Sequence, residues 1–192
     1  MTARISSKLR GYTIVELMMS LAVLSVGVTG LIAMQKVTVA SNLHAKSVAI
    51  ATRVAQAWQD QLAADATLWN RTNGLVNTTW LQNITSTQTW FRPSYSPTLK
   101  FGAAFDALGN PVDETVSLDP TQFCVHVELV PIYPTTGTLG LLRSTVRVFW
   151  PRRQGNVGTP NFCSPARDIT ALGDDIDDFH FLYQVAAVRI QP

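Results

Sequence analysis

Hydrophobic positions divide this chain into parts with different periods. From Leu17 to Met34 no residue is charged, and nearly all are apolar. A helix of that length, at ~1.5 Å rise per residue, just spans a hydrocarbon core of ~30 Å. After Met34 the pattern changes. Ala40, Leu43, Ser47, Ile50, Ala51, Val54, Trp58 and Leu62 recur at three- and four-residue spacing, and Asn42, Lys46, Arg53, Gln56 and Asp60 fall largely on other faces. That spacing predicts an amphipathic helix. No proline interrupts Tyr12 to Asp65. The two stretches therefore predict one continuous helix, roughly 80 Å long.

Beyond the helix the period shortens. Residues 67–97 are rich in Thr, Asn and Ser and hold Trp69, Trp80 and Trp90. They read as a connecting region with a short helix near Thr79–Asn83. Strands are expected at Thr98–Phe105, at Phe123–Leu129, at Leu139–Trp150 and at Phe179–Ile190. In the second, Phe123, Val125, Val127 and Leu129 alternate with Cys124, His126 and Glu128, which predicts a half-buried strand. In the third, Val146, Val148 and Trp150 share one face and Arg147 takes the other. Gly109-Asn110-Pro111 and Pro134-Thr135-Thr136-Gly137 mark turns. The expected fold class is α+β: a long N-terminal helix whose C-terminal half buries the Val54–Trp58–Leu62 stripe under an antiparallel sheet of about four strands.

Charge refines this picture at the N-terminus. Arg4, Lys8 and Arg10 precede the apolar run with no acid among them. They hold three of the 15 basic residues, so the rest of the chain carries 12 bases against 13 acids, a net −1, and the formal +2 belongs to the leader. The positive-inside rule keeps those bases cytoplasmic and places residues 35–192 outside. An ordinary secretory signal would have a shorter apolar core, of roughly 7–15 residues, with a small-residue cleavage site after it. Only 15% of residues are charged, which suits one apolar segment on a polar domain. No basic stripe tracks a phosphate backbone, so nucleic acid is not an expected partner.

Glu16 is the exception in the apolar segment. A carboxylate deep in a bilayer costs roughly 2.5–3.5 kcal/mol on insertion scales. It is either tolerated at headgroup level or awaits a cationic partner. Gly11-Tyr12-Thr13-Ile14-Val15-Glu16, followed by Leu17-Met18, resembles the prepilin cleavage and methylation motif of type IV pilins. Tyr12 stands where Phe is commonest. The resemblance implies cleavage between Gly11 and Tyr12 by a prepilin peptidase, methylation of the new Tyr12 amine, and pairing of Glu16 with the N-terminal amine of a neighbouring subunit. The run Leu21-Ala22-Val23-Leu24-Ser25-Val26-Gly27-Val28-Thr29-Gly30-Leu31, ending in Met34-Gln35, resembles PilV-type minor pilins, and the similarity covers about residues 11–60. Gly27 and Gly30 each weaken a helix by roughly 1 kcal/mol relative to Ala. They serve either close helix packing or a stretch that unwinds on leaving the bilayer.

The expected organisation is a cytoplasmic leader at 1–11, a transmembrane and filament-core helix at 12–34, an amphipathic half at 35–66, a connecting region at 67–97 and a β-sheet domain at 98–192. The implied partners are the prepilin peptidase, other minor pilins and the major pilin through their N-terminal helices, a tip adhesin, and the inner membrane before assembly. The implied role is that of a low-abundance subunit priming pilus assembly near the tip. A minor pseudopilin of a type II secretion system would share the same motif and stem.

Cys124 and Cys163 fit neither a CxxC motif nor a four-ligand zinc site. In an exported domain they are expected to form a disulfide worth roughly 3–4 kcal/mol, with two buried free thiols as the alternative. No catalytic residues, metal site or cofactor are expected. His44, His126 and His180 are scattered, and no phosphate loop or nucleophile motif occurs. His126 and Glu128 read as a surface pair. Asp174, Asp175, Asp177 and Asp178 lack the spacing of an EF-hand loop and read as a solvated turn.

Overall fold

The computed structural model describes residues 11–69, 78–84, 89–132, 140–152, 162–166, 172 and 177–190. The chain divides into two compact units between Lys46 and Ser47. Helix α1, Ile14–Trp69, contributes to both. In the first unit it is the only described element, and all of its residues are exposed.

In the second unit α1 has one buried face. Ala51, Val54, Ala55, Trp58, Leu62 and Ala66 are buried at helical spacing. They meet a sheet built from β1 (Trp90–Phe91), β2 (Ala104–Phe105), β3 (Phe123–Pro131), β4 (Gly140–Pro151) and β5 (Phe179–Ile190). All pairings are antiparallel, in the order β1-β3-β4-β5, with β2 also on β3. The fold is therefore the expected α+β arrangement, with five strands. The strand beyond the expected four is Trp90–Phe91, from the region read as a connection.

Trp58 is the centre of the helix–sheet core. Its ring lies 5.2 Å from that of Trp80 and 4.8 Å from that of Phe101. Around it β3 supplies Phe123, Val125, Val127 and Leu129, and β4 supplies Leu142, Val146, Val148 and Trp150. Full burial of such side chains stabilises by ~1.5–3 kcal/mol each, the bulk of what holds the helix down.

The other face of the sheet is also covered, which corrects the half-buried reading of β3. Every residue from Phe123 to Leu129 is buried. A second cluster joins Cys124, Phe149, Phe162, Cys163, Leu172 and Phe179 with Ala103, Ala104 and Val112. Cys124 and Cys163 form a disulfide with Cα atoms 5.5 Å apart, so the bridge sits inside this second core. It ties Cys163 to β3, as expected of a bridge that pins the Pro151–Pro165 loop onto the strand at Cys124; residues 153–161 of that loop lie outside the described residues.

His126 and Glu128 are not a surface pair. They are 2% and 9% exposed, because Trp90 covers this part of the sheet. The Arg147 guanidinium sits 4.4 Å from the Trp90 ring centroid, and its Nη2 lies 2.9 Å from His126 Nδ1. An arginine nitrogen can only donate, so His126 accepts there as the neutral ring protonated on Nε2. Burial lowers the Arg147 pKa, against the opposing pull of the Tyr183 hydroxyl and Glu128.

The Thr98–Phe105 strand is also corrected. Only Ala104 and Phe105 pair with β3. Pro97 has no N–H to give, Lys100 takes a left-handed conformation (φ 49°), and the chain doubles back through a Ser96–Phe101 bridge. Gly102 permits this closeness, since a Cβ there would come within 2.9 Å of Tyr95 Cα. The turn at Gly109 is present with φ 80°, and a Cβ there would stand 3.0 Å from Ile50 Cγ2. The short helix near Thr79–Asn83 is a 3-10 turn, Leu81–Asn83. The Pro134–Gly137 turn lies outside the described residues, as do Asp174 and Asp175; Asp177 and Asp178 are exposed.

Two carboxylates hold the connections. Asp65 is buried on α1. Its Oδ1 accepts from the Thr79 amide at 2.8 Å, and its Oδ2 accepts from those of Trp80 at 2.9 Å and Leu81 at 3.0 Å. It satisfies the free amides at the start of the 3-10 turn and fastens Trp80 over Trp58. Asp106 holds the Gly109 turn, accepting from the amides of Leu108 and Asn110 and from Asn110 Nδ2. Partial burial works to raise its pKa but is outweighed by hydrogen bonds from Asn110, Leu108 and Gly109, so the net shift is downward.

Two predictions follow from these carboxylates. Asp65→Ala strands three amides and is predicted to cost about 3 kcal/mol in denaturant unfolding of the oxidised protein. A loss below ~1 kcal/mol would show that water takes over the carboxylate's role. For Asp106 the native pKa lies below the unfolded value. Its stabilisation is full above the ordinary Asp pKa of ~3.9 and disappears as pH falls through the lowered value. Asp106→Asn is therefore predicted to destabilise at neutral pH and to flatten the acid limb of a Tm-against-pH profile. An unchanged acid limb would refute this.

Candidate processing site and assembly helix

Gly11, Tyr12 and Thr13 precede the first helical residue and adopt no regular structure. Tyr12 is 81% exposed. A Cβ added at Gly11 would meet nothing within 4 Å, so the chain itself does not demand glycine there. Among the described residues, nothing covers Gly11 or Tyr12.

Thr13 starts α1. Its Oγ1 accepts from the Glu16 amide at 3.3 Å, and its carbonyl accepts from the Leu17 amide at 3.2 Å. Thr13 is therefore the N-cap, and Glu16 stands at the third helical position. Thr-x-x-Glu is the capping-box spacing, a signal present in the sequence that the motif resemblance left unused. A carboxylate in the first turn also opposes the positive end of the helix dipole. The structure thus places Gly11, Tyr12 and Glu16 together at one end of α1. Cys124 and Cys163 belong to the second core and take no part.

From Leu17 to Met34 the helix is apolar around its circumference. Val23, Val26 and Met34 are all more than 70% exposed, and Leu17, Leu21, Leu24 and Leu31 more than half. A helix apolar on all sides calls for a cover of lipid or protein. The segment is long and apolar enough to cross a membrane. Its hydroxyls are already satisfied: Ser20 donates to the Glu16 carbonyl, Ser25 to that of Ala22 and Thr29 to that of Val26, each at 2.8 Å. No hydroxyl donor is left for an apolar medium to solvate. Gly27 and Gly30 likewise have open space where a Cβ would lie. Among the described residues no contact requires glycine at either position.

Among the described residues no group of three or more His, Cys, Asp or Glu side chains is placed to hold a metal ion. Arg92 is the buried base in the second unit that the sequence did not single out. Its Nη2 lies 2.6 Å from Glu114 Oε2, and its Nε donates to the Cys163 carbonyl at 2.7 Å, so its contacts are structural.

Residues 6–32 match the family model of the prokaryotic N-terminal methylation motif. No curated protein and no solved structure matches the chain. The matched segment contains the Gly11–Tyr12 junction, the Thr13 cap, Glu16 and both helix glycines. It implies processing by a prepilin peptidase and assembly with other pilins, and the exposed apolar helix is consistent with membrane anchoring before assembly. The motif, together with a long helix packed on an antiparallel sheet, supports a type IV pilin-like protein, either a pilin or a pseudopilin.

Proposed function

We propose that this chain is a minor pilin of a type IV pilus, most like the PilV type, with a structural and not an enzymatic role. Prepilin peptidase cuts after Gly11 and methylates Tyr12. The subunit waits in the inner membrane as a single-pass protein with its C-terminal domain in the periplasm. It then enters the pilus at low abundance, primes assembly at or near the tip with other minor pilins and the major pilin, and supports adhesion and twitching motility, with a tip adhesin as a further partner.

The observation that carries this reading is the helix from Ile14 to Lys46: exposed at every residue, with the hydroxyls of its apolar part satisfied by its own carbonyls, and opening on a prepilin motif. The Gly27 and Gly30 run supports a pilus over a secretion pseudopilus, because it resembles PilV-type helices. Glu16, the only ionisable side chain between Ile14 and Gln35, suits a pairing with the methylated amine of a neighbour.

Quantitative mass spectrometry of sheared filaments is predicted to find a methylated peptide beginning at Tyr12, far below the major pilin in amount. Processed protein confined to the membrane fraction, with exoprotein secretion lost on deletion, would establish the pseudopilin reading instead. Glu16→Ala is predicted to leave insertion and cleavage intact and to lower incorporation by at least about tenfold, since removing one partner of a buried pair costs ~3–5 kcal/mol. Incorporation equal to that of the unmodified chain would refute the pairing.

A further inference from the structure

Strand β5 ends the sheet. One side pairs with β4 along its full length, from Phe179 to Ile190, and among the described residues no strand pairs with the other side. The opposite edge differs: β3 is capped there by β1 and β2, each only two residues long. Folded proteins guard a long free edge with lysine, proline, inward charge or a bulge, because its unpaired amides and carbonyls template further pairing. The sequence FHFLYQVAAVRI contains no Lys, Pro, Asp or Glu, and its one formal charge is Arg189, next to its C-terminal end. The pairing with β4 also runs from Gly140↔Ile190 to Pro151↔Phe179 without a bulge.

Coverage of the strand points the same way. β3 is buried on both faces, whereas the middle of β5, from Leu182 to Ala187, is only partly covered on either; Phe179 and Val188 nearer its ends are buried. On the helix side Leu182, Gln184 and Ala186 are only half-buried. On the other side Tyr183 is 55% and Val185 60% exposed, and Ala187 is exposed as well. From Phe181 to Val188 the strand thus offers a bulge-free edge without a formal charge, with apolar side chains standing above and below it. A small ligand cannot satisfy a row of alternating amides and carbonyls. An extended backbone can, and the flanking side chains give it an apolar lining.

We infer that β5 is a docking edge for one β-strand of a different pilin-type subunit, added antiparallel or parallel to extend the sheet. The strand that fits is uncharged and alternates small or apolar side chains on both faces, to match Leu182 and Ala186 on one side and Tyr183 and Val185 on the other. This inference rests on the reading of the chain as a low-abundance subunit. Copies of such a subunit seldom adjoin, so its neighbours are other chains.

The test uses the full-length chain in cells that carry its assembly genes. A photoreactive benzophenone amino acid replaces Ala187, and adducts are mapped by mass spectrometry in both membranes and sheared filaments. The expected result is an adduct with a different prepilin-motif subunit, joined at an uncharged extended segment. Val185→Lys is expected to reduce that adduct by about tenfold, as charge on an edge blocks pairing. Val185→Thr keeps β propensity without charge and is expected to retain the adduct. Both variants should match the unmodified chain in membrane level and melting temperature. Adducts with a second copy alone, with lipid alone, or undiminished by Val185→Lys overturn the inference, as does the absence of any adduct. The two readings fail separately. A mapped partner adduct in membranes, with the chain missing from filaments, sinks the minor-pilin reading and keeps the docking edge. Normal filament incorporation without an adduct sinks the edge alone.

Discussion

One helix has to satisfy two different surroundings, and the rest of the molecule follows from how it does so. Between Ser47 and Trp69 α1 has a single buried face, centred on Trp58, and the sheet exists to cover it. Between Ile14 and Lys46 every residue is exposed. The change lies in side-chain periodicity, not in backbone: an apolar run all round gives way to a stripe at three- and four-residue spacing. The first half must find its apolar contacts outside the molecule, while the second finds them within.

The sheet in turn is built around β3, which is covered on both faces. One face meets α1; the other meets the second cluster, with the Cys124–Cys163 bridge inside it. Arg92 reaches from just after β1 to Glu114 and to the Cys163 carbonyl, and Trp90 lies over Arg147 and His126. Short, irregular pieces thus do the covering that a second sheet or helix would do in a larger domain. They bury polar groups in the process, and some of these pair with one another, Arg92 with Glu114 and Arg147 with His126.

The parts legible in the sequence were those whose signal is local. The apolar run, the Val54–Trp58–Leu62 stripe and the long strands β3, β4 and β5 emerged nearly at their observed bounds. The Gly11–Glu16 motif was equally plain. What could not be read depends on contacts across the chain. Alternation in β3 suggested a wet face, because nothing in Cys124, His126 and Glu128 announces that Trp90 and Phe162 will cover that side. Asp65 reads as an ordinary polar helix residue until Thr79, Trp80 and Leu81 turn their amides toward it. Gln59, on the buried face of α1, is likewise explained only by Ser144 of β4, whose hydroxyl donates to Gln59 Oε1 at 2.6 Å. Thr98–Phe105 has strand-like residues, yet Pro97 and the left-handed Lys100 fold it into a tight reversal. Thr13 is the opposite case: its capping role was local, and the spacing to Glu16 displayed it.

The self-satisfied hydroxyls of Ser20, Ser25 and Thr29 bear on exchange between media. Lipid tails and packed helices are both dry, and to a helix that asks neither for a hydrogen bond they are nearly equivalent solvents. Passage from one to the other then conserves hydrogen bonds and trades one apolar cover for another. Such a segment has little intrinsic preference for bilayer or filament. Where such a helix moves between lipid and a packed assembly, the balance between the two covers can therefore be set by a few groups at its ends.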